Sequence, residues 1–67
     1  MNYLPHQQRV VDERTELDAK IEKLSAFIVG EIFKRLSEDE QSRMVRQKSA
    51  MSEYSDVLSD RIAAFTE

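Results

Sequence analysis

On a helix that advances about 100° per residue, Arg43, Gln47, Ala50, Tyr54, Val57 and Arg61 fall on one stripe. Arg43, Tyr54 and Arg61 lie within about 20° of one another on that geometry. A tyrosine face stacks on a nucleobase and guanidinium groups grip phosphate, so the stripe carries the chemistry of a compact nucleotide or anion site. Earlier in the chain Arg9 and Lys20 stand nearly in register, with Lys23 close by. The same residues also read as a solvated flank supported by the i,i+4 pairs Glu16 with Lys20 and Asp39 with Arg43. Tyr3 and Tyr54 equally suit ordinary packing, because tyrosine favours interfaces.

Catalytic chemistry is not expected. The single histidine, His6, has no second His or Cys with which to form a metal set, and the chain has no cysteine for a thiolate nucleophile or a disulfide. The serines lack a nucleophile elbow, and a single glycine, Gly30, allows neither a phosphate loop nor a dinucleotide fingerprint. Asp12 with Glu16 and Asp56 with Asp60 are carboxylate pairs at helical spacing, an arrangement typical of a hydrated acidic face. No cofactor and no metal is expected.

Composition narrows the partner. Ten Lys+Arg against 13 Asp+Glu give a net charge of −3, which disfavours a DNA or RNA polymer and an anionic membrane surface as ligand. Any anion must find a local basic site. No apolar run approaches the ~20 residues of a membrane span, and the opening Met-Asn-Tyr-Leu-Pro has neither the basic nor the apolar region of a secretory signal. A cytoplasmic protein is expected. At 67 residues the chain makes one small domain with a thin core, and self-association is the natural remedy.

These residues must be positioned by helices. Pro5 suits the first position of helix one, expected over about 5–29, with a seam of Val10, Leu17, Ile21, Leu24 and Ile28 interrupted by Arg14. At ~1.5 Å per residue this helix is a rod of roughly 38 Å. Gly30 occupies the place of a left-handed C-terminal cap. The connector 30–37 carries Ile32, Phe33 and Leu36, apolar enough for a short helical turn that plugs the end of the core. Ser37 and Glu40 are expected to form a reciprocal capping box opening helix two, about 38–64. Its seam is Met44, Met51, Leu58, Ile62 and Phe65, broken by Lys48 and Ser55. The fold class is therefore all-α: an antiparallel two-helix hairpin with a short helical turn in the connector, assembling into a homo-oligomeric helical bundle.

The segment Pro5-His6-Gln7-Gln8-Arg9-Val10-Val11-Asp12-Glu13, with Glu16-Leu17-Asp18, Lys20, Lys23-Leu24 and Ala26-Phe27-Ile28, resembles a set of short phage and prophage hairpin proteins. Leu36, Glu40-Gln41, Arg43, Gln47, Met51, Glu53-Tyr54-Ser55, Val57-Leu58 and Arg61-Ile62-Ala63-Ala64-Phe65 continue the likeness. These are similar to the hairpin domain shared by phage anti-CBASS and anti-Thoeris sponge proteins, which sequester the nucleotide signals of bacterial immune systems. The resemblance implies hexamers in the host bacterial cytoplasm that bind cyclic dinucleotides and, at separate sites, cyclic trinucleotides, without cleaving them. It also implies a base stacked on an N-terminal tyrosine, matched by Tyr3 ahead of Pro5, and phosphates held by Lys20 and by Arg46, Lys48 or Arg61. The family's small glycine-containing stretch reads Met51-Ser52-Glu53-Tyr54 here, and the bulkier Tyr54 reshapes or closes a pocket.

The leading reading is a phage sponge, with Tyr3, Arg9, Lys20, Arg46, Lys48, Tyr54 and Arg61 as candidate ligand-binding residues. The alternative is a small phage interaction module whose second stripe docks a helix of a host protein and inhibits it. A DNA-binding regulator is disfavoured by the acidity and by the lack of a basic recognition helix.

Overall fold

A computed structural model describes residues 2–65 of the chain. Three helices follow one another: α1 over Pro5–Ile28, α2 over Glu31–Lys34 and α3 over Glu38–Ala63. Pro5 opens α1, as its fixed φ favours, and the Leu4 backbone N–H donates to Gln7 Oε1 at 2.9 Å. No described helix is long and apolar enough to cross a membrane. α1 and α3 lie against each other as an antiparallel hairpin of 50 × 15 × 13 Å. Its radius of gyration is 15.3 Å, where about 11 Å is usual for a compact domain of this length, so the two helices form a rod.

The turn departs from the expected cap. Gly30 has φ −91° and ψ 174°, an extended conformation open to any residue, and no described residue has a positive φ. The reason is that α2 restarts at once: α1 closes with a tight bond from Gly30 N–H to the Phe27 carbonyl at 3.0 Å, and Gly30 then serves as the extended N-cap of α2. A left-handed residue there would turn the chain away. A Cβ at Gly30 would lie 3.3 Å from the Phe27 carbonyl oxygen, so close approach is what the glycine eases.

α2 plugs the core less fully than its composition suggests. Phe33 and Leu36 are half-buried, but Ile32 is 61% exposed and Val29 beside it 80% exposed, because four residues make barely one turn and turn only one side inward. Gln41 ties the connector to α3 by donating to the carbonyls of Leu36 at 3.0 Å and Lys34 at 3.4 Å. Ser37 caps α3 by accepting the Glu40 N–H at 3.2 Å. The returning half of the expected box is not made, since the Glu40 carboxylate binds Arg43 Nε at 2.9 Å instead. Glu38, Asp39 and Glu40 in the first turn and Arg61 in the last suit the helix dipole.

The core is small and lies in the open half of the rod. Val10, Leu17 and Leu58 are buried, and Ile21, Met51, Ile62 and Phe65 pack on them half-covered. Leu24, Ile28 and Met44, seam residues nearer the turn, are only half-buried. Leu58 is 1% exposed and is the anchor of this cluster. Leu58→Ala is expected to cost about 3 to 5 kcal/mol, the upper part of the range for such truncations, and to lower the urea midpoint steeply. Leu24→Ala, with less to lose, should shift the same midpoint by less than half as much.

Candidate functional site

The two helices are locked in register by polar groups. Ser55 Oγ donates to Asp18 Oδ1 at 2.5 Å, and Arg14 Nη1 reaches Ser59 Oγ at 3.5 Å. Buried Arg14 Nε, which has no hydrogen-bond partner, is 3.9 Å from Asp18 Oδ2, within ion-pair reach. Four residues along α1 thus answer to four residues back along α3. This polar clasp occupies one flank of the seam, and its signal in the sequence was the pair of polar interruptions, Arg14 on one helix and Ser55 on the other.

The same register locates the candidate residues. Lys20 is level with Glu53 and next to Tyr54, while Arg61 is level with Asp12, less than a turn from Arg9. At 100° per residue, Arg9 and Lys20 lie on the flank of α1 away from Asp18, and Tyr54 and Arg61 on the flank of α3 away from Ser59. In an antiparallel pair those flanks share one broad face. Arg9, Lys20, Tyr54 and Arg61 are all exposed there, with Tyr54 at 44% and neighbouring Val57 at 46%.

The other three candidates lie elsewhere. Tyr3, half-buried, stands at the open end with its ring edge-on to Phe65, centroids 5.9 Å apart and planes at 70°. About 17 residues of helical rise, on the order of 25 Å, separate it from the level of Lys20, so one hairpin does not bring the two together. Arg46 lies toward the turn and lines a shallow open groove with Arg43, Gln47 and Ala50. Lys48 is half-buried and, on the wheel of α3, lies on the seam side, toward the clasp flank and away from Tyr54. Arg43 and Gln47 belong to the stripe and to the groove but were not among the candidate ligand residues.

Ion pairing differs from the i,i+4 expectation. Arg43 pairs with Glu40, one residue nearer than Asp39, and no ion pair joins Glu16 to Lys20. Among the described residues, Arg9, Lys20, Arg46 and Arg61 have no salt bridge. One broad face therefore presents an exposed tyrosine and cations that make no salt bridge among the described residues, interspersed with the exposed carboxylates Glu13 and Glu16, while the clasp flank spends its charges on the fold. His6 is exposed in the first turn of α1.

A family model described as Sequestin matches residues 4–64, almost the whole chain. No curated protein and no solved structure matches it.

The division of labour between the flanks is measurable. Asp18→Ala removes the acceptor of Ser55 and the counter-charge of Arg14, and is expected to cost about 1 to 3 kcal/mol. Lys20→Ala and Arg9→Ala, on the open face, should stay within about 0.5 kcal/mol of the parent. Urea denaturation of the three variants checks both expectations.

Proposed function

The chain belongs to the Sequestin family, and from that premise we propose that it is a non-enzymatic sponge that binds cyclic oligonucleotide immune messengers and lowers their free concentration. The match over residues 4–64, to a family whose name denotes the sequestering of a ligand, carries the reading. The open face supports the choice of ligand class. Tyr54 offers a ring to a nucleobase, and Lys20, Arg9 and Arg61 offer unspent positive charge to phosphates in a protein whose net charge is −3. A compact dianion fits such a local patch better than a polymer does.

The finer points are part of the same proposal: a cytoplasmic protein of phage origin, acting against cyclic-nucleotide immunity, assembled as a homo-oligomer such as a hexamer, and releasing its ligand unchanged. Sequestration needs abundance and slow release. The side chains that would hold the ligand are Arg9, Lys20, Tyr54 and Arg61, joined by Tyr3, Arg46 and Lys48 only where neighbouring copies bring separate levels of the rod together.

Native mass spectrometry with a panel of cyclic di- and trinucleotides tests this. The protein is expected to take up one messenger at fixed stoichiometry and to return it intact on heating. The double variant Lys20→Ala and Arg61→Ala should weaken binding on the order of 100-fold or more, since two charge-assisted bonds are lost. Full affinity in the double variant overturns the residue assignment. Failure to bind any member of the panel, with a stoichiometric host protein recovered instead, overturns the ligand class in favour of a protein-binding module.

A further inference from the structure

α3 carries two seams. The first is the buried one against α1. The second, Arg43, Gln47, Ala50, Tyr54, Val57 and Arg61, has intervals of four, three, four, three and four residues, the spacing of a helix-packing seam. In the single hairpin it meets nothing: Tyr54 is 44% and Val57 46% exposed, and Gln47 and Ala50 are exposed as well.

The intervals read the same in both directions. Reversing the stripe about residue 52 therefore sets it against itself without a mismatch of spacing. Ala50 then faces Tyr54, so that the smallest side chain of the seam receives the largest, and Gln47 faces Val57. Arg43 faces Arg61, but Glu40, which already accepts from Arg43 Nε at 2.9 Å, stands beside the pair as a shared counter-charge. Arg46 comes within about 3 Å, along the axis, of the level of Asp60. The centre is apolar, and each rim mixes the cations Arg43, Arg46 and Arg61 with the carboxylates Glu40 and Asp60; such rims fix register more than they add affinity.

The surface area leaves room for such an occupant. The hairpin exposes 5357 Å², whereas a folded monomer of 7.8 kDa exposes roughly 4,400 Å². The excess, on the order of 1,000 Å², exceeds the ~800 Å² that each partner gives to a standard interface. We propose that the second seam of α3 is a two-fold interface, in which a second copy of this chain packs antiparallel with residue 50 of each copy against residue 54 of the other. This rests on the self-association in the sponge reading and adds the face and the register, and it makes Tyr54 and Arg61 shared residues, at once part of the interface and of the ligand site that borders it. It also sets the Arg43 and Arg46 groove of one copy beside Arg61 of the second, joining cations that lie at opposite ends of one hairpin.

The chain has no cysteine, so introduced thiols report the register directly. In Gln47→Cys/Val57→Cys the two thiols of one chain are about 15 Å apart along α3 and cannot bridge. Across the proposed interface they face each other, and mild oxidation is expected to yield a covalent dimer as the main product. The outer-face control Ser49→Cys/Asp56→Cys should remain uncrosslinked. By sedimentation, without nucleotide, the parent should have at least twice the single-chain mass, and Ala50→Arg should reduce it while circular dichroism keeps its helical signal. A parent that sediments as a single chain overturns the proposal, as does an oligomer in which the Gln47/Val57 thiols fail to link. Should Ala50→Arg lose its helix, the cross-link decides. Neither readout involves a nucleotide, so a failure of messenger binding leaves the interface standing, and a failure of the interface leaves messenger binding to be judged on its own titration.

Discussion

Leu58, clustered with Val10 and Leu17 of the opposite helix, is where the hairpin is held. Neither α1 nor α3 has a third layer to lean on, so each buries apolar surface only where the other covers it. The polar clasp decides which turn meets which. Of the two contacts across the seam, Asp18 with Ser55 and Arg14 with Ser59, a slide by one helical turn leaves at most one acceptor or donor of α1 opposite a serine. Hydrophobic contact gives this seam its strength, and the clasp gives it a single register. The placement of every exposed side chain along the rod follows from that register.

Much of this was legible in the residues. Spacing of apolar positions gave both long helices to within a residue at either end, and Pro5 and Ser37 marked their starts. Gly30 misled because a glycine after a helix has two uses: a left-handed cap, or an extended residue at a close approach, and the immediate restart at Glu31 requires the second. Glu40 had two partners within reach, its own helix start and Arg43, and a guanidinium is the stronger donor. Ile32 looked like core by type alone, but whether a one-turn helix aims a side chain inward is a matter of tertiary placement.

The candidate site was partly legible for the same reason. Residues on one helix can be ranked by angle, so the stripe through Tyr54 was visible in advance. That Lys20 comes within a residue of the level of Tyr54, that Tyr3 is occupied with Phe65, and that Lys48 turns toward the seam depend on how two helices meet. No local pattern encodes that. Of the two ion pairs the spacing suggested, the one from Glu16 to Lys20 is not made, and Arg43 takes Glu40 in place of Asp39.

The clasp lies on one flank, and the exposed tyrosine and free cations lie on the other. Natural selection can therefore act on the two almost independently. Substitutions at positions 9 and 20 change the chemistry of the open face while leaving Leu58, Asp18 and Ser55 to maintain the hairpin. Such a separation lets that face be varied one mutation at a time without passing through unfolded intermediates.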